Sequence, residues 1–216
     1  MNHAQRAARL CALALLLAAA AIPSTAHASA ALQPAGDVLD YSTVSNVTPF
    51  VIGGGLVTIR CTSFDPGAVR IPSEPANRET GQLRLTLTTR PSYSGCRNSF
   101  GLPIDIRTSG TWTATFQWGT PAVMNITVPA RGIAVAEVFE AEEVITCGTN
   151  PRSATIAGNW QNGFTTPTFV NSITSFSGRI PMTWTCETVW GEMTYAASRL
   201  EVVDATNPTA IVTVGP

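Results

Sequence analysis

The chain has 216 residues, of which 44% are hydrophobic and only 12% are charged, and its formal net charge is −1. This composition is typical of a folded globular protein and excludes a disordered or collagen-like chain. All 13 basic residues are arginine. We expect no nucleic-acid partner, because a near-neutral surface without lysine binds phosphate backbones poorly.

The first 30 residues have the pattern of a cleaved secretory signal peptide. Two arginines precede an apolar run over 10–22, which is too short to span a bilayer. Small residues follow and offer cleavage after Ala28 or Ala30. We therefore expect residues 1–28 to be removed and the mature chain to be secreted and extracellular, without a membrane span. Association with the cell envelope is compatible with this prediction.

Four cysteines remain after cleavage, namely Cys61, Cys96, Cys147 and Cys186. An even number of cysteines in an exported chain indicates disulfides, here two. Three pairings are possible, and we favour Cys61–Cys96 with Cys147–Cys186 because each pair then brackets one run of strand signals. A zinc site needs closely spaced cysteines, so we expect no metal and no cofactor.

Short strand patterns dominate the mature chain. In chain order they cover 56–59, 83–88, 111–118, 123–128, 133–138, 200–203 and 210–214. Turn signals separate them, among which Asn162-Gly163 predicts a tight hairpin and Ser177-Gly178 predicts a turn. We therefore predict an all-β fold, an antiparallel β-sandwich of the immunoglobulin-like or jelly-roll type, braced by disulfides.

The segment 134–143 contains good helix formers, but the β patterns on both sides favour a strand that ends in an acidic turn. Residues 29–216 are predicted to form a single domain. The alternative is two small β modules divided near 129–132. A short Trp-Thr and Trp-Gly pattern that recurs at 112–119 and 184–191 is the only sign of duplication.

The mature chain lacks histidine and lysine, because both histidines lie in the signal peptide. This excludes Ser–His–Asp and Cys–His catalysis and Schiff-base chemistry. Glycoside hydrolysis remains, because it needs only two carboxylates. The candidates are Glu137, Glu140, Glu142, Glu143, Glu187 and Glu192. For the cluster at 137–143 we favour a solvated acidic turn over a catalytic or calcium site.

Five tryptophans could supply flat faces for sugar rings. Trp112 and Trp118 alternate with threonines and share a face with Phe116, which predicts that they belong to the core. Trp160 lies near the predicted hairpin and Trp190 precedes a glycine. These two rings are the candidate ligand-binding residues.

The strand patterns around the four cysteines are rich in threonine, valine and isoleucine, and the segments 92–96, 110–116 and 181–186 combine hydroxyl-bearing and aromatic residues. Together with the alanine- and leucine-rich signal and the missing lysine, they resemble small secreted β-sandwich proteins of high-GC actinobacteria. The resemblance implies a secreted β-sandwich without an assigned activity. It identifies no functional residue.

We expect an exported, non-enzymatic envelope or extracellular module with a binding or structural role. Its partner would be a cell-envelope glycan or another extracellular protein. The alternative is a carboxylate-only glycosidase. A second alternative is an inhibitor of extracellular enzymes, which would present the loop 97–100 after Cys96 as its tip.

Overall fold

The computed structural model describes residues 29–41, 44–52, 57–139, 143–162, 171–184 and 191–216. These residues form β-strands and their connections, and no helix occurs among them. The strands are β1 (Ser29–Gln33), β2 (Val38–Tyr41), β3 (Val44–Ile52), β4 (Val57–Asp65), β5 (Ala68–Arg70), β6 (Arg78–Thr80), β7 (Gln82–Thr86), β8 (Ser92–Ser94), β9 (Cys96–Asn98), β10 (Pro103–Thr108), β11 (Thr113–Gln117), β12 (Ala122–Val128), β13 (Ile133–Phe139), β14 (Glu143–Thr149), β15 (Ala154–Gln161), β16 (Asn171–Trp184), β17 (Gly191–Asp204) and β18 (Thr213–Gly215). The described ranges therefore contain no helix that could cross a membrane.

Eight strands form a first ring, in the order β5-β2-β17-β16-β15-β12-β11-β7. The ring closes where Val69 of β5 forms an antiparallel bridge with Leu87, directly after β7. The Thr88 N–H donates to the Ala68 carbonyl beside this bridge, at 2.8 Å. Alternate residues of β7, β12 and β15 are buried, because a period of two sends every second side chain inward.

A second group of strands follows the order β3-β4-β9-β10-β13-β14-β16, and β8 pairs with β4. The strand β17 also runs alongside β3, which brings this group back to its first strand. All strand pairs are antiparallel in both groups. This confirms the predicted all-β, antiparallel fold and fits a disulfide-braced β-sandwich.

The long β16–β17 hairpin belongs to both groups of strands. The first part of β16 pairs with β15, whereas its last residues pair with β14. Gly178 lies where β16 leaves β15, and a Cβ there would come within 2.4 Å of the Thr155 carbonyl oxygen. The prediction of a turn at Ser177-Gly178 is therefore wrong, since this glycine permits close strand approach inside a long strand.

A three-stranded sheet of β18, β1 and β6 completes the described fold. Its apolar side chains join the core, and Leu32 and Val214 are fully buried. Asn162 fixes β18 from the end of β15. Its Oδ1 accepts from the Val214 N–H at 2.9 Å, and its Nδ2 donates to the Val214 carbonyl at 3.3 Å.

Two local predictions around these hairpins have different outcomes. The strand predicted from Ala134 onward is confirmed as β13, while the expected acidic turn at 140–142 lies outside the described residues. The tight hairpin at Asn162-Gly163 is wrong, because β15 ends at Gln161 and β16 begins only at Asn171. Asn162 binds the distant strand β18 instead of turning the chain.

Strand pairing crosses the proposed division at 129–132 in both groups of strands. Before and after it, β10 pairs with β13 and β12 pairs with β15. Asn150 is fully buried and holds this turn, since its Nδ2 donates to the Pro129 carbonyl at 2.6 Å and its Oδ1 accepts from the Ile133 N–H at 2.8 Å. Strand pairs and side-chain hydrogen bonds therefore connect the two sides of this point, and the single domain stays a prediction.

The predicted disulfide between Cys61 and Cys96 is confirmed, and it joins β4 to β9. The cysteines are 35 residues apart, a separation for which the chain-entropy model gives about 4 kcal/mol of stabilisation. Cys147 is buried and also disulfide-bonded. Cys186 lies outside the described residues, so its pairing with Cys147 stays a prediction.

Candidate functional site

Of the two candidate ligand-binding tryptophans, only Trp160 lies among the described residues. The Trp160 ring is only 3% exposed and meets Phe116 edge-on, with ring centroids 5.7 Å apart. Its Nε1 donates to Asn162 Oδ1 at 2.7 Å. The expected exposure of Trp160 is therefore wrong, and Trp190 lies outside the described residues. Trp112 is buried as predicted, and Trp118 packs partly buried against the core.

Of the glutamates nominated for glycoside hydrolysis, only Glu137 has a side chain that the structure describes. Glu137 lies in β13 and is half-buried, opposite Ile104. Glu143 and Glu192 lie in β14 and β17, but their side chains are outside the description. The remaining three, Glu140, Glu142 and Glu187, lie outside it altogether.

A different pair of carboxyl groups does meet, Asp37 before β2 and Asp204 at the end of β17. Asp204 is fully buried, and its Oδ1 accepts from the N–H groups of Thr206 and Asn207. A hydrogen bond to Asp204, desolvation and the negative charge of Asp204 raise the pKa of Asp37 above its usual range, and Arg70 opposes this shift. The other carboxylate oxygen of Asp204, Oδ2, is buried and has no hydrogen-bond partner among the described residues.

The substitution Asp37→Asn is expected to stabilise the fold at neutral pH. The raised pKa of Asp37 means that the wild-type fold loses stability as the pH rises and this group ionises beside Asp204. An amide removes the like charge and keeps a donor. Urea unfolding across a pH series would show a gain at neutral pH that disappears in acid. A gain that is independent of pH would contradict this coupling.

The described residues have two exposed large hydrophobic side chains, and both lie in one loop. Phe100 is 74% exposed and Leu102 is 45% exposed. We call residues 99–102, between β9 and β10, the tip loop. Exposed apolar side chains are common singly, but two of them together on a short loop mark a candidate contact surface.

The tip loop is held by a dense set of hydrogen bonds. Asn98 Oδ1 accepts from the N–H groups of Phe100 and Leu102, each at 3.0 Å. The Asn98 backbone also exchanges bonds with Leu102 and Gly101. Gly101 has a φ of 85°, which favours glycine. The loop is therefore fixed by its own backbone before any partner binds.

The base of the tip loop is cross-linked to the sheet. Cys96, the first residue of β9, forms the disulfide with Cys61 of β4. The sequence placed the tip at 97–100, but Arg97 and Asn98 belong to β9, and the Arg97 Nη1 donates back to the Gly101 carbonyl at 2.9 Å. The projecting residues begin at position 99, two residues later than predicted.

A groove of about 810 Å³ lies beside the tip loop. Its floor is formed by the outer face of β4 and β9, where Arg60 and Arg97 stand directly opposite each other and are both exposed. The described lining carries no carboxylate; it consists of Thr58, Arg60, Cys61, Thr62, Gly95, Arg97, Asn98, Ser99 and Gly101. The groove is therefore positively charged. In the described parts of the chain, no three metal-binding side chains cluster there or elsewhere.

The chain was compared with known protein families, curated proteins and solved structures. No protein-family model, curated protein or solved structure matches the chain.

Sequence reasoning missed the arginine pair, although a signal for it was present. Arg60 directly precedes Cys61, and Arg97 directly follows Cys96. In an antiparallel pair of strands joined by that disulfide, these two neighbours must lie opposite each other. The predicted disulfide therefore already implied the facing arginines.

Proposed function

We propose that this chain is an exported, non-enzymatic binding module that recognises another extracellular protein through the tip loop. The observation that carries the proposal is the exposure of Phe100 and Leu102 on a loop that is anchored by a disulfide and by its own hydrogen bonds. A preorganised loop loses little conformational entropy when it binds. Aromatic anchors of this kind supply much of the energy of protein interfaces.

The test compares the wild-type chain with Phe100→Ala. Burying a phenylalanine side chain contributes about 1.5–3 kcal/mol, so the variant should bind its partner roughly 10- to 100-fold more weakly. Immobilised wild-type protein and variant would be exposed to the secreted proteins of a high-GC actinobacterial culture, and the retained proteins compared by mass spectrometry. Affinities for each retained protein would then be measured.

The control variant is Thr209→Ala, at an exposed site far from the tip loop in the sequence. It should retain the same proteins as the wild type. Both variants must show the wild-type circular dichroism spectrum. If no protein is lost on Phe100→Ala, or if Thr209→Ala loses the same ones, the tip loop is not the binding element.

An inhibitor of an extracellular enzyme is a second candidate, and the rigidity of the tip loop favours it. Enzyme inhibitors gain affinity from a loop that is already in its bound conformation. In that case the retained proteins would be hydrolases, and their activity would fall in the presence of the wild-type chain but not of Phe100→Ala. Release of reducing sugar from polysaccharides by the protein alone would favour the glycosidase instead.

The signal pattern supports export, and the packing of β1 bears on the position of cleavage. Ala30 is fully buried and pairs with Glu79 in β6. Cleavage after Ala30 would remove this residue and place a charged amino group on Ala31, which is only 4% exposed. We therefore propose cleavage after Ala28.

The exported chain is expected to begin at Ser29, so that β1 remains complete. The intact mass of protein recovered from the culture medium would distinguish Ser29 from Ala31 as the first residue. Recovery of a chain that begins at Ala31, or retention of the first 28 residues, would contradict the prediction.

A further inference from the structure

The two arginines beside the tip loop lack a charged partner within the described residues. Asp105, on the neighbouring strand β10, forms an ion pair with Arg107, with 2.6 Å between Nε and Oδ2. Asp105 is therefore already engaged by its own strand neighbour. Arg60 has no hydrogen bond or ion pair with any described residue, and Arg97 uses Nη1 for the Gly101 carbonyl. The remaining guanidinium donors face the groove.

Like charges directly across a strand pair destabilise it. An anion between Arg60 and Arg97 would relieve this repulsion, and a carboxylate can accept two parallel N–H bonds from a guanidinium. Hydroxyl groups of Thr58 and Ser99 line the same groove and could bind further oxygens. The groove is therefore complementary to a carboxylate.

We infer that Arg60 and Arg97 bind an aspartate or glutamate of the protein partner, next to the apolar surface of that partner which Phe100 would contact. This inference rests on the proposed function, because it assigns the chemistry of the surface that the tip loop contacts. A groove of about 810 Å³ is too large for a lone carboxylate and suits a short stretch of chain. The recognised surface thus carries an acidic residue beside an apolar one.

Direct selection of peptides tests this inference without knowledge of the natural partner. A random-peptide display library would be selected on the mature wild-type chain. Enriched peptides should carry Asp or Glu next to an aromatic or aliphatic residue. Each would be synthesised together with a counterpart in which Asp is replaced by Asn, or Glu by Gln.

The decisive variant is Arg60→Gln combined with Arg97→Gln. Its matched control is Arg78→Gln combined with Arg90→Gln, which removes the same charge at exposed positions outside the groove. Because the variant lacks both guanidinium groups, it should bind the acidic peptides about tenfold or more weakly than the wild type does. The control should bind as the wild type does. The amide counterparts should bind weakly to the wild type and to both variants. Added salt should weaken the binding of the acidic peptides but not that of the amide counterparts.

The outcomes separate this inference from the proposed function. The selected peptides could lack Asp and Glu, and their binding could depend on Phe100 but not on the two arginines. That result would overturn the inference and leave the proposed function standing. Saturable binding of inorganic phosphate, with no acidic peptide enriched, would assign the groove to a small anion and overturn it as well. Failure to enrich any peptide that depends on Phe100 would overturn both.

Discussion

The substitution Trp160→Ala is expected to destabilise the fold by about 3–5 kcal/mol, the usual loss when a large buried aromatic ring is removed from a core. The ring is 3% exposed and lies edge-on to Phe116, so alanine would leave a cavity in the first ring of strands. It would also leave Asn162 Oδ1 with one donor fewer. Urea unfolding followed by far-ultraviolet circular dichroism measures the change.

A second variant, Trp160→Phe, separates burial from the hydrogen bond. It keeps an aromatic ring against Phe116 but removes the Nε1 donor, so we expect a smaller loss of about 1–2 kcal/mol. If Trp160→Ala lowered the free energy of unfolding by less than about 1 kcal/mol, the ring would not be part of the core. A stable alanine variant would thus reinstate Trp160 as a candidate ligand-binding residue.

The substitution Asn150→Ala is expected to destabilise the fold by about 2–4 kcal/mol, because it leaves buried backbone groups without partners. The Ile133 N–H would lose its acceptor at a fully buried position, and the carbonyls of Pro129 and Arg152 would lose a donor. The loss affects the turn at 129–132, where β12 passes into β13. Equilibrium unfolding in urea would measure it.

Two further variants test whether the loss comes from the hydrogen bonds of Asn150. Asn150→Asp keeps an acceptor for the Ile133 N–H but turns a carboxylate oxygen toward the Pro129 carbonyl, so it should also destabilise the fold. Asn207→Ala, at an exposed turn where the side chain bonds only to Thr209, should change stability by less than about 0.5 kcal/mol. Equal effects of Asn150→Ala and Asn207→Ala would show that Asn150 does not hold the turn.

Some of the strands were predictable because their signal is local. Alternation along β11 and β12 places every second side chain in the core, and this depends only on neighbouring residues. The same alternation runs through β15 and ends at Trp160. The period of two therefore predicts that Trp160 is buried, whereas the nearby Asn-Gly pair suggested a turn.

The failures concern residues whose role depends on distant strands. Asn162 binds β18, which is 52 residues away along the chain, and no local pattern shows this contact. Gly178 is needed because β15 approaches closely, not because the chain turns. The position of the tip loop was nearly predicted, because the Cys96 cross-link is visible in the sequence. The extent of β9 was not, since it depends on pairing with β4 and β10.

The shared β16–β17 hairpin also determines when the molecule can fold. Both groups of strands need residues of this hairpin for their closure, and these residues are synthesised after nearly all the strands that they join. Most pairings that hold the fold are consequently long-range, which makes folding slow. We therefore expect the two groups of strands to close only after β17 has been synthesised.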